Sequence, residues 1–157
     1  MPRTTEWKHA VVFLAIAALA AFSGALGPPD AWYAGLAKPS FMPPNWVFPS
    51  VWTLLYFVIA FAAARVFKYD GLGVAIWIWG AQMVLNALWT PIFFRYHLIG
   101  WALVDAIALF VLILAMIVAF WRVDRVSARL MIPYALWVGF AVILTGSLWQ
   151  LNALPPT

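Results

Sequence analysis

Residues 39–56 read PSFMPPNWVFPSVWTLLY, and the stretch changes character near its middle. Its first eleven residues contain four prolines, and each proline fixes φ and removes a backbone hydrogen-bond donor, so no regular helix or strand can form there. The apolar run that follows from Val51 contains no proline and predicts a long helix. We therefore interpret the stretch as a stiff aromatic loop that leads directly into a membrane-type helix.

The composition supports this interpretation for the whole chain. Of its 157 residues, 67% are hydrophobic and only 9% are charged, whereas a soluble domain carries roughly 25% charged residues. Too few polar side chains remain to build a surface in contact with water, and the chain is predicted to be an integral membrane protein. Cysteine is absent, which excludes disulfides, a thiolate nucleophile and cysteine-based metal sites.

Five apolar segments are each close to the ~20 residues that a membrane-spanning helix needs. All connections but the first are short, so consecutive helices should be antiparallel neighbours. The prediction is an all-α integral membrane protein with a five-transmembrane-helix bundle in one domain, residues 1–157, and a lid-like loop at 28–45, here called the lid segment. The predicted helices are 8–27, 46–67, 73–94, 98–121 and 127–150.

The first apolar segment also has the pattern of a signal peptide. Arg3 and Lys8 precede an apolar run that ends in the small residues Ser23, Gly24 and Ala25. We expect the segment to be retained as the first helix.

The basic residues predict an orientation. In a five-helix arrangement, seven Lys and Arg residues share the side of the N-terminus and of the second and fourth loops, whereas only Lys38 and Arg95 lie on the other side. The positive-inside rule then places the N-terminus inside and the lid segment outside. The net charge of +4 is explained by this asymmetry and does not indicate nucleic-acid binding. The seven are Arg3, Lys8, Arg65, Lys68, Arg122, Arg125 and Arg129.

Eleven tryptophans are present, and most of them lie near segment ends. Indole side chains favour both membrane interfaces, so an aromatic belt is the interpretation for Trp7, Trp32, Trp46, Trp77, Trp101, Trp121 and Trp149.

The third segment places polar groups at mid-membrane depth. Gln82 and Asn86 are four residues apart and project from one face of a helix, and Trp79 and Trp89 extend the same stripe. Two amides in an apolar span need hydrogen-bond partners. They are either a link between helices, worth about 0.6 kcal/mol per contact, or the wall of a cavity in which amides orient a ligand and indoles stack on it.

Polar and small residues in the last two segments also have both a structural and a ligand-binding interpretation. Asp105 lies well inside the fourth segment, where a carboxylate is costly unless it is paired or protonated. It is either a structural partner of a neighbouring polar group or part of a ligand or proton site.

In the fifth segment, Pro133 predicts a kink or a first turn. Trp137, Ala141 and Thr145 follow at four-residue steps and either pack closely against another helix or leave room for a flat guest.

Dedicated catalytic and metal sites are not predicted. The sequence has no credible Ser-His-Asp set, no phosphate-binding glycine loop and no paired carboxylates. His9 and His97 are far apart and lack spaced ligand partners. No cofactor is required by any pattern.

Several blocks in the same order resemble one known family. WYAGLAKPSFMPPNWVFPSVWTLLY, QMVLNALWTPIFF, GWALVD and PYALWVGFA, spread over residues 32–152, are similar to the translocator protein family, also called tryptophan-rich sensory proteins or peripheral benzodiazepine receptors. The resemblance implies a five-helix bundle, commonly a homodimer, with a pocket closed by the first loop. It implies as ligands porphyrins such as protoporphyrin IX and haem, cholesterol in animals, and benzodiazepine- or isoquinoline-type drugs.

The resemblance also assigns site residues by position. Trp52, Asn86, Trp137 and Ala141 fall where pocket residues of the family lie, and Tyr56, Trp89, Phe93 and Trp46 flank them. Gln82 joins this set from the helix-face argument above. The animal pattern for sterol recognition needs a tyrosine and then a basic residue late in the fifth helix, and AVILTGSLWQLNALPPT has neither, since Thr145 and Gly146 stand there. Sterol recognition by that route is not expected, although Arg129, Tyr134 and Leu136 form a weak reverse-order pattern.

The lid segment has two interpretations. A proline-stiffened loop loses little entropy when it orders over a cavity mouth, and aromatic side chains can cover an apolar guest while their polar edges meet water. The lid residues would be Trp32, Tyr33, Phe41 and Trp46. The alternative is an ordered crossover between the first two helices.

Three functions remain open from the sequence. The first is a membrane receptor or carrier for planar apolar ligands, most plausibly tetrapyrroles, in a bacterial envelope or a mitochondrial outer membrane. The second is a scavenger that degrades bound porphyrin in a light- or oxygen-dependent reaction through its tryptophans. The third is a stress regulator that acts through partner proteins.

Overall fold

The computed structural model describes residues 3–153, with side chains for residues 8–25 and 27–153, and all regular structure within that range is helical. Seven α-helices follow one another within the described residues. A 3₁₀ turn at Ser23–Leu26 follows α1, and a π-helical turn at Pro91–Arg95 extends α4. The helices are α1 (Arg3–Phe22), α2 (Ala31–Gly35), α3 (Val47–Asp70), α4 (Val74–Thr90), α5 (Ile99–Val123), α6 (Arg125–Leu130) and α7 (Ile132–Asn152).

Four stretches within the described range are long and apolar enough to cross a bilayer: Lys8–Ala25, Val47–Asp70, Ile99–Val123 and Arg125–Asn152. Helix α4 has 17 residues before its π-helical turn. The chain is thus an all-helical, multi-pass integral membrane protein.

Local sequence signals explain where several helices begin and end. Gly71 ends α3 with φ +57°, a conformation that side-chain-bearing residues rarely adopt, and its N–H donates to Phe67 O over 2.8 Å. Asp124 caps the N-terminus of α6 by accepting from the Ser127 N–H. Pro133 lies in the first turn of α7, as one of the two sequence interpretations requires.

The lid segment contains a short helix, α2, that the sequence did not predict. Asp30 begins it by accepting a hydrogen bond from the Tyr33 N–H over 3.0 Å. The remainder of the segment, from Leu36 to Asn45, contains turns and no further helix. Helix α3 then begins at Val47, so Pro49 lies in its first turn, where a proline is tolerated, and the proline-rich stretch, contrary to the prediction, is not entirely without helix.

The long helices pack in a ring with one weak seam. Helix α1 packs on α3 and α4, α4 packs on α5, and α5 packs on α7. Helix α3 contacts the short α6 extensively, whereas α3 and α7 have almost no close backbone approach. Contact across the seam between α3 and α7 is therefore made by side chains alone.

Glycines allow α5 and α7 to approach closely. A Cβ on Gly139 would lie 3.2 Å from the Phe110 ring, and one on Gly146 would lie 3.7 Å from Leu103. These contacts favour the packing interpretation of the small residues in the last helix.

An ion pair joins α3 to the turn between α5 and α6. Arg65 Nε and Nη2 donate to the two carboxylate oxygens of Asp124 over 2.9 and 3.3 Å, and Ser127 Oγ also donates to the carboxylate. The hydrogen bonds from Arg65, reinforced by those from Ser127, lower the pKa of Asp124 to about 2. The carboxylate is therefore charged throughout the physiological range.

Candidate functional site

A continuous chain of hydrogen bonds joins four polar side chains inside the bundle. The Tyr56 hydroxyl donates to Asn86 Oδ1 over 2.6 Å, and Asn86 Nδ2 donates to Tyr134 Oη over 2.9 Å. Tyr134 donates in turn to Gln82 Oε1 over 2.6 Å. This amide–tyrosine network (Tyr56, Gln82, Asn86 and Tyr134) connects α3, α4 and α7.

The network lies away from water. Gln82 and Tyr134 have no exposed surface, and Asn86 is 5% exposed. The two amides thus link helices through tyrosine hydroxyls, which is the first of the two sequence interpretations. Gln82 Nε2 is buried and makes no hydrogen bond within the described part of the chain, so one donor of the network stays available.

Tyr134 was not among the predicted site residues, although it occupies the centre of this network. A hydroxyl inside an apolar span must find a partner, and that requirement was the signal in the sequence. Its partner could not be read from spacing, because Tyr134 lies 48 and 52 positions from Asn86 and Gln82.

Trp52 lies beside the network, one helical turn before Tyr56. Its ring centroid is 5.5 Å from that of Tyr56 and 6.2 Å from that of Tyr134. The structure therefore places Trp52 next to Tyr56, which the network joins to Asn86 and, through Tyr134, to Gln82.

Trp137 lies in a separate aromatic row that reaches the lid segment. Its ring centroid is 5.6 Å from Phe140 and 5.9 Å from Phe48, and Phe140 is 6.3 Å from Phe41 of the lid segment. Ala141, one turn after Trp137, is half-buried. Phe41 is thus the lid residue that connects the loop to Trp137.

A groove of about 370 Å³ follows the seam between α3 and α7. Leu54 and Leu136 on its rim are 65% and 71% exposed, so the groove opens sideways to the lipid. The Trp137 indole N–H is buried and without a hydrogen-bond partner in the described chain. The groove is lined by Val51, Leu54, Leu55, Pro133, Leu136 and Trp137.

Trp89 and Phe93 form a second aromatic cluster near the end of α4. Their rings are stacked at 5.0 Å with an interplanar angle of 15°. Trp32 and Tyr33 of the lid segment pack edge-on against Phe93 at 5.8 and 6.2 Å. Trp89 and Phe93 therefore lie under the lid segment, and no ring contact within the described structure joins them to Trp52 or Trp137.

The lid segment is tied down by the end of α7. Asn152 Oδ1 accepts from the Ala37 N–H, and Asn152 Nδ2 donates to the Ala37 carbonyl, both over 2.9 Å. The side-chain amide thus pairs with both backbone polar groups of Ala37, as a residue on a neighbouring strand would. Sequence reasoning missed Asn152, which lies 115 positions from its partner.

Lys38 and His97 also fix α2 within the lid segment. Lys38 Nζ donates to the Tyr33 carbonyl over 2.8 Å. His97, in the turn before α5, lies 3.1 Å from Asp30 Oδ2 through Nε2 and stacks on Trp32 at 4.0 Å between ring centroids. The Tyr33 N–H, together with His97, lowers the pKa of Asp30.

Trp46, predicted both as a lid residue and as part of the aromatic belt, is 70% exposed. Other tryptophans of the predicted belt are also exposed. Trp32, within the lid segment, is half-buried, and the Trp7 side chain lies outside the described residues. The exposed belt tryptophans are Trp46, Trp77, Trp101, Trp121 and Trp149.

Other buried polar atoms also lack partners within the described chain. They are the indole N–H groups of Trp79 and Trp89 and one carboxylate oxygen of Asp105. Trp79 packs on Phe13 of α1 at 5.0 Å, away from the lid segment. Among the described side chains, no three His, Asp or Glu residues are grouped closely enough to hold a metal ion.

Comparison with known proteins agrees with the sequence blocks. The model of the TspO/MBR family matches residues 10–150. Protein CrtK of Rhodobacter capsulatus is 41% identical over 149 residues, covering 91% of each chain. The tryptophan-rich sensory protein of Cereibacter sphaeroides is 38% identical over 147 residues, covering 94% of this chain and 93% of its own. The human translocator protein is 36% identical over 154 residues, covering 93% of this chain and 91% of its own. Because the match extends over nearly the whole chain, and the blocks that carry it also supply the amide–tyrosine network and the lid segment, this protein belongs to the TspO/MBR family.

Proposed function

We propose that the protein is a membrane receptor or carrier for planar apolar ligands, in particular the tetrapyrroles protoporphyrin IX and haem. The observation that carries this proposal is the groove along the α3–α7 seam, whose wall contains Trp137 with a buried indole N–H that has no hydrogen-bond partner among the described residues. Indoles supply large apolar area together with one hydrogen-bond donor, which suits a flat ligand with a polar edge.

The ligand would lie between Trp137 and Trp52, with the amide–tyrosine network at its inner side. Val51 and Leu55 of the groove flank Trp52 along α3, and Pro133 precedes Tyr134 on α7. The groove and the network are thus lined by adjacent residues of the same two helices. Benzodiazepine- or isoquinoline-type compounds have the same flat, apolar character and belong to the same proposal.

The proposal includes the topology. Helix α4 and its π-helical turn together span Val74–Arg95, which is long enough to be the third of five membrane crossings. The N-terminus and the second and fourth loops would then face inward, and the lid segment outward. The names of the relatives, translocator protein and tryptophan-rich sensory protein, fit either transport or sensing as the purpose of binding.

Titration of the purified protein with protoporphyrin IX, followed by quenching of tryptophan fluorescence, tests the proposal. Replacing Trp137 or Trp52 by alanine should weaken binding about tenfold, because an aromatic contact contributes about 0.5–1.5 kcal/mol beyond its buried area and 1.4 kcal/mol is a factor of ten. Haem and a sterol titrated in parallel identify the preferred ligand class.

Trp77→Ala is the matched control. Trp77 is 69% exposed on α4, so its loss should leave the affinity unchanged. Equal affinities of the wild type and of the Trp52 and Trp137 variants would refute the proposed site, and an absence of saturable binding in the wild type would refute the function.

A further inference from the structure

We infer that the Tyr56 hydroxyl acts as an internal competitor for the ligand, occupying the Asn86 amide in the empty protein and having to leave it when a ligand binds there. This inference rests on the proposed function, because it concerns the same site. It assigns to Tyr56 the role of setting affinity and selectivity.

The first observation is that the side-chain amide of Asn86 makes two hydrogen bonds, one to each tyrosine. Its oxygen accepts from Tyr56 and its nitrogen donates to Tyr134, so both ends of the amide are engaged. Each end keeps one further hydrogen-bonding site, but Asn86 is only 5% exposed. A ligand can therefore reach the amide only by moving a residue that covers it, and Tyr56 and Tyr134 are the two whose hydroxyls contact its polar atoms.

The two tyrosines differ in how firmly they are held. Tyr134 has no exposed surface and takes part in two hydrogen bonds of the network. Tyr56 ends the network with a single hydrogen bond and is only partly buried. Displacing Tyr56 therefore breaks one bond, whereas displacing Tyr134 breaks two and disturbs a packed core residue.

The position of Tyr56 makes the displacement relevant to binding. It lies one turn after Trp52, with 5.5 Å between the ring centroids, on the helix that forms one wall of the groove. A flat ligand that stacks on Trp52 would meet the Tyr56 ring before it met Asn86. The chemistry that recognises the freed Asn86 oxygen is a hydrogen-bond donor at the edge of a planar apolar molecule, such as a protonated carboxylic acid substituent.

Tyr56→Phe removes the competing hydroxyl and keeps the ring. We expect protoporphyrin IX to bind this variant about threefold more tightly than the wild type, the factor that corresponds to a hydrogen bond of about 0.6 kcal/mol between membrane helices. Without ligand, the variant should be slightly less stable to heat, because Asn86 has lost a partner. Tyr69→Phe, at the exposed end of the same helix, is the control and should leave the affinity unchanged.

A double-mutant cycle with Asn86→Leu tests whether Tyr56 acts through the amide. In the Asn86→Leu background, Tyr56→Phe should change the affinity less than 1.5-fold, or about 0.25 kcal/mol, because no bond remains to be broken. A threefold gain that persists in this background would overturn the inference.

The outcomes separate the inference from the function. If the wild type binds protoporphyrin IX and Tyr56→Phe binds it equally or more weakly, the competitor role is wrong while the binding function stands. If the wild type does not bind, the proposed function itself fails. Should Tyr56→Phe not fold, infrared spectra of the wild type with ring-labelled tyrosine decide instead: saturation with protoporphyrin IX should shift one tyrosine C–O band, and unchanged bands would overturn the inference.

Discussion

At the scale of single residues, the clearest energetic contribution outside the membrane-spanning segments comes from Asp124. The Arg65 guanidinium forms a fork with its carboxylate, and Ser127 donates to it twice. Such charge-assisted hydrogen bonds are stronger than neutral ones. They connect the middle of the chain, at α3, to the start of its last membrane segment.

The pH dependence of this contact has a definite sign. The pKa of Asp124 falls from its ordinary value of 3.8 to about 2 in the folded protein, so the stabilisation is complete above about pH 4 and is lost as the pH falls towards 2. Asp124→Asn should lower the free energy of unfolding by about 1–2 kcal/mol at neutral pH, the low end for charged hydrogen bonds because Arg65 is 32% exposed and partly screened.

Thermal unfolding in detergent between pH 2 and 7 checks this expectation. The melting temperatures of the wild type and of Asp124→Asn should differ at pH 7 and converge near pH 2. Arg125→Gln, which removes a neighbouring exposed charge, serves as the control. A difference that stayed constant over the whole range would show that the carboxylate charge is not the source.

At the scale of elements, the lid segment is held more firmly than a loop of this composition suggests. Lys38 donates to a backbone carbonyl of α2, and His97 joins the residue before α2 to the turn before α5. Asn152 joins the lid segment to the end of α7. In the last of these contacts, one side-chain amide satisfies both backbone polar groups of Ala37.

Asn152→Leu should release the lid segment locally. Losing these two bonds costs about 1 kcal/mol or slightly more, so amides near residue 37 should exchange with deuterium about tenfold faster, as measured by mass spectrometry of peptides from 28–45. Gln150→Leu, an exposed neighbour in the same turn, should not change the rate. Equal exchange in all three proteins would mean that contacts other than the Asn152 pair hold the segment.

The elements also show what a sequence can and cannot predict. Hydropathy predicted a helix at 46–67, but α3 continues to Asp70. A helix extends as long as its backbone groups find hydrogen-bond partners, and it can therefore continue beyond its last apolar side chain. Gly71 was the available signal for its end. The same reasoning explains why α6 begins at Arg125, directly after the capping Asp124, and not at 127.

The candidate site was less accessible to such reasoning. The four-residue spacing of Gln82 and Asn86 predicted a shared face, since that follows from helix geometry alone. That Tyr134 and Tyr56 would be their partners depends on how α3 and α7 are rotated about their axes, which no local pattern encodes. Asn152 was missed for the same reason.

At the scale of the whole molecule, the proposed topology can be tested because the chain contains no cysteine. Single cysteines can be placed without removing any native thiol. Ser40, Leu72 and Tyr96 are exposed positions in three successive connections, and in a five-span arrangement the first and third lie outside while the second lies inside.

A membrane-impermeant maleimide applied to intact cells should therefore label Ser40→Cys and Tyr96→Cys, and should label Leu72→Cys only after permeabilisation. The pair Leu72 and Tyr96 brackets α4. Labelling of both from the same side would show that α4 and its π-helical turn do not cross the bilayer.

The sideways opening of the α3–α7 seam has a consequence for how strongly the protein can hold anything. In a bilayer, the space beside Leu54 and Leu136 is never empty, because hydrocarbon tails press into it. A guest must expel a tail and arrives already dissolved in the membrane, so occupancy follows its mole fraction in the lipid instead of its aqueous concentration. Diluting the protein into more lipid at constant total porphyrin should therefore empty the groove.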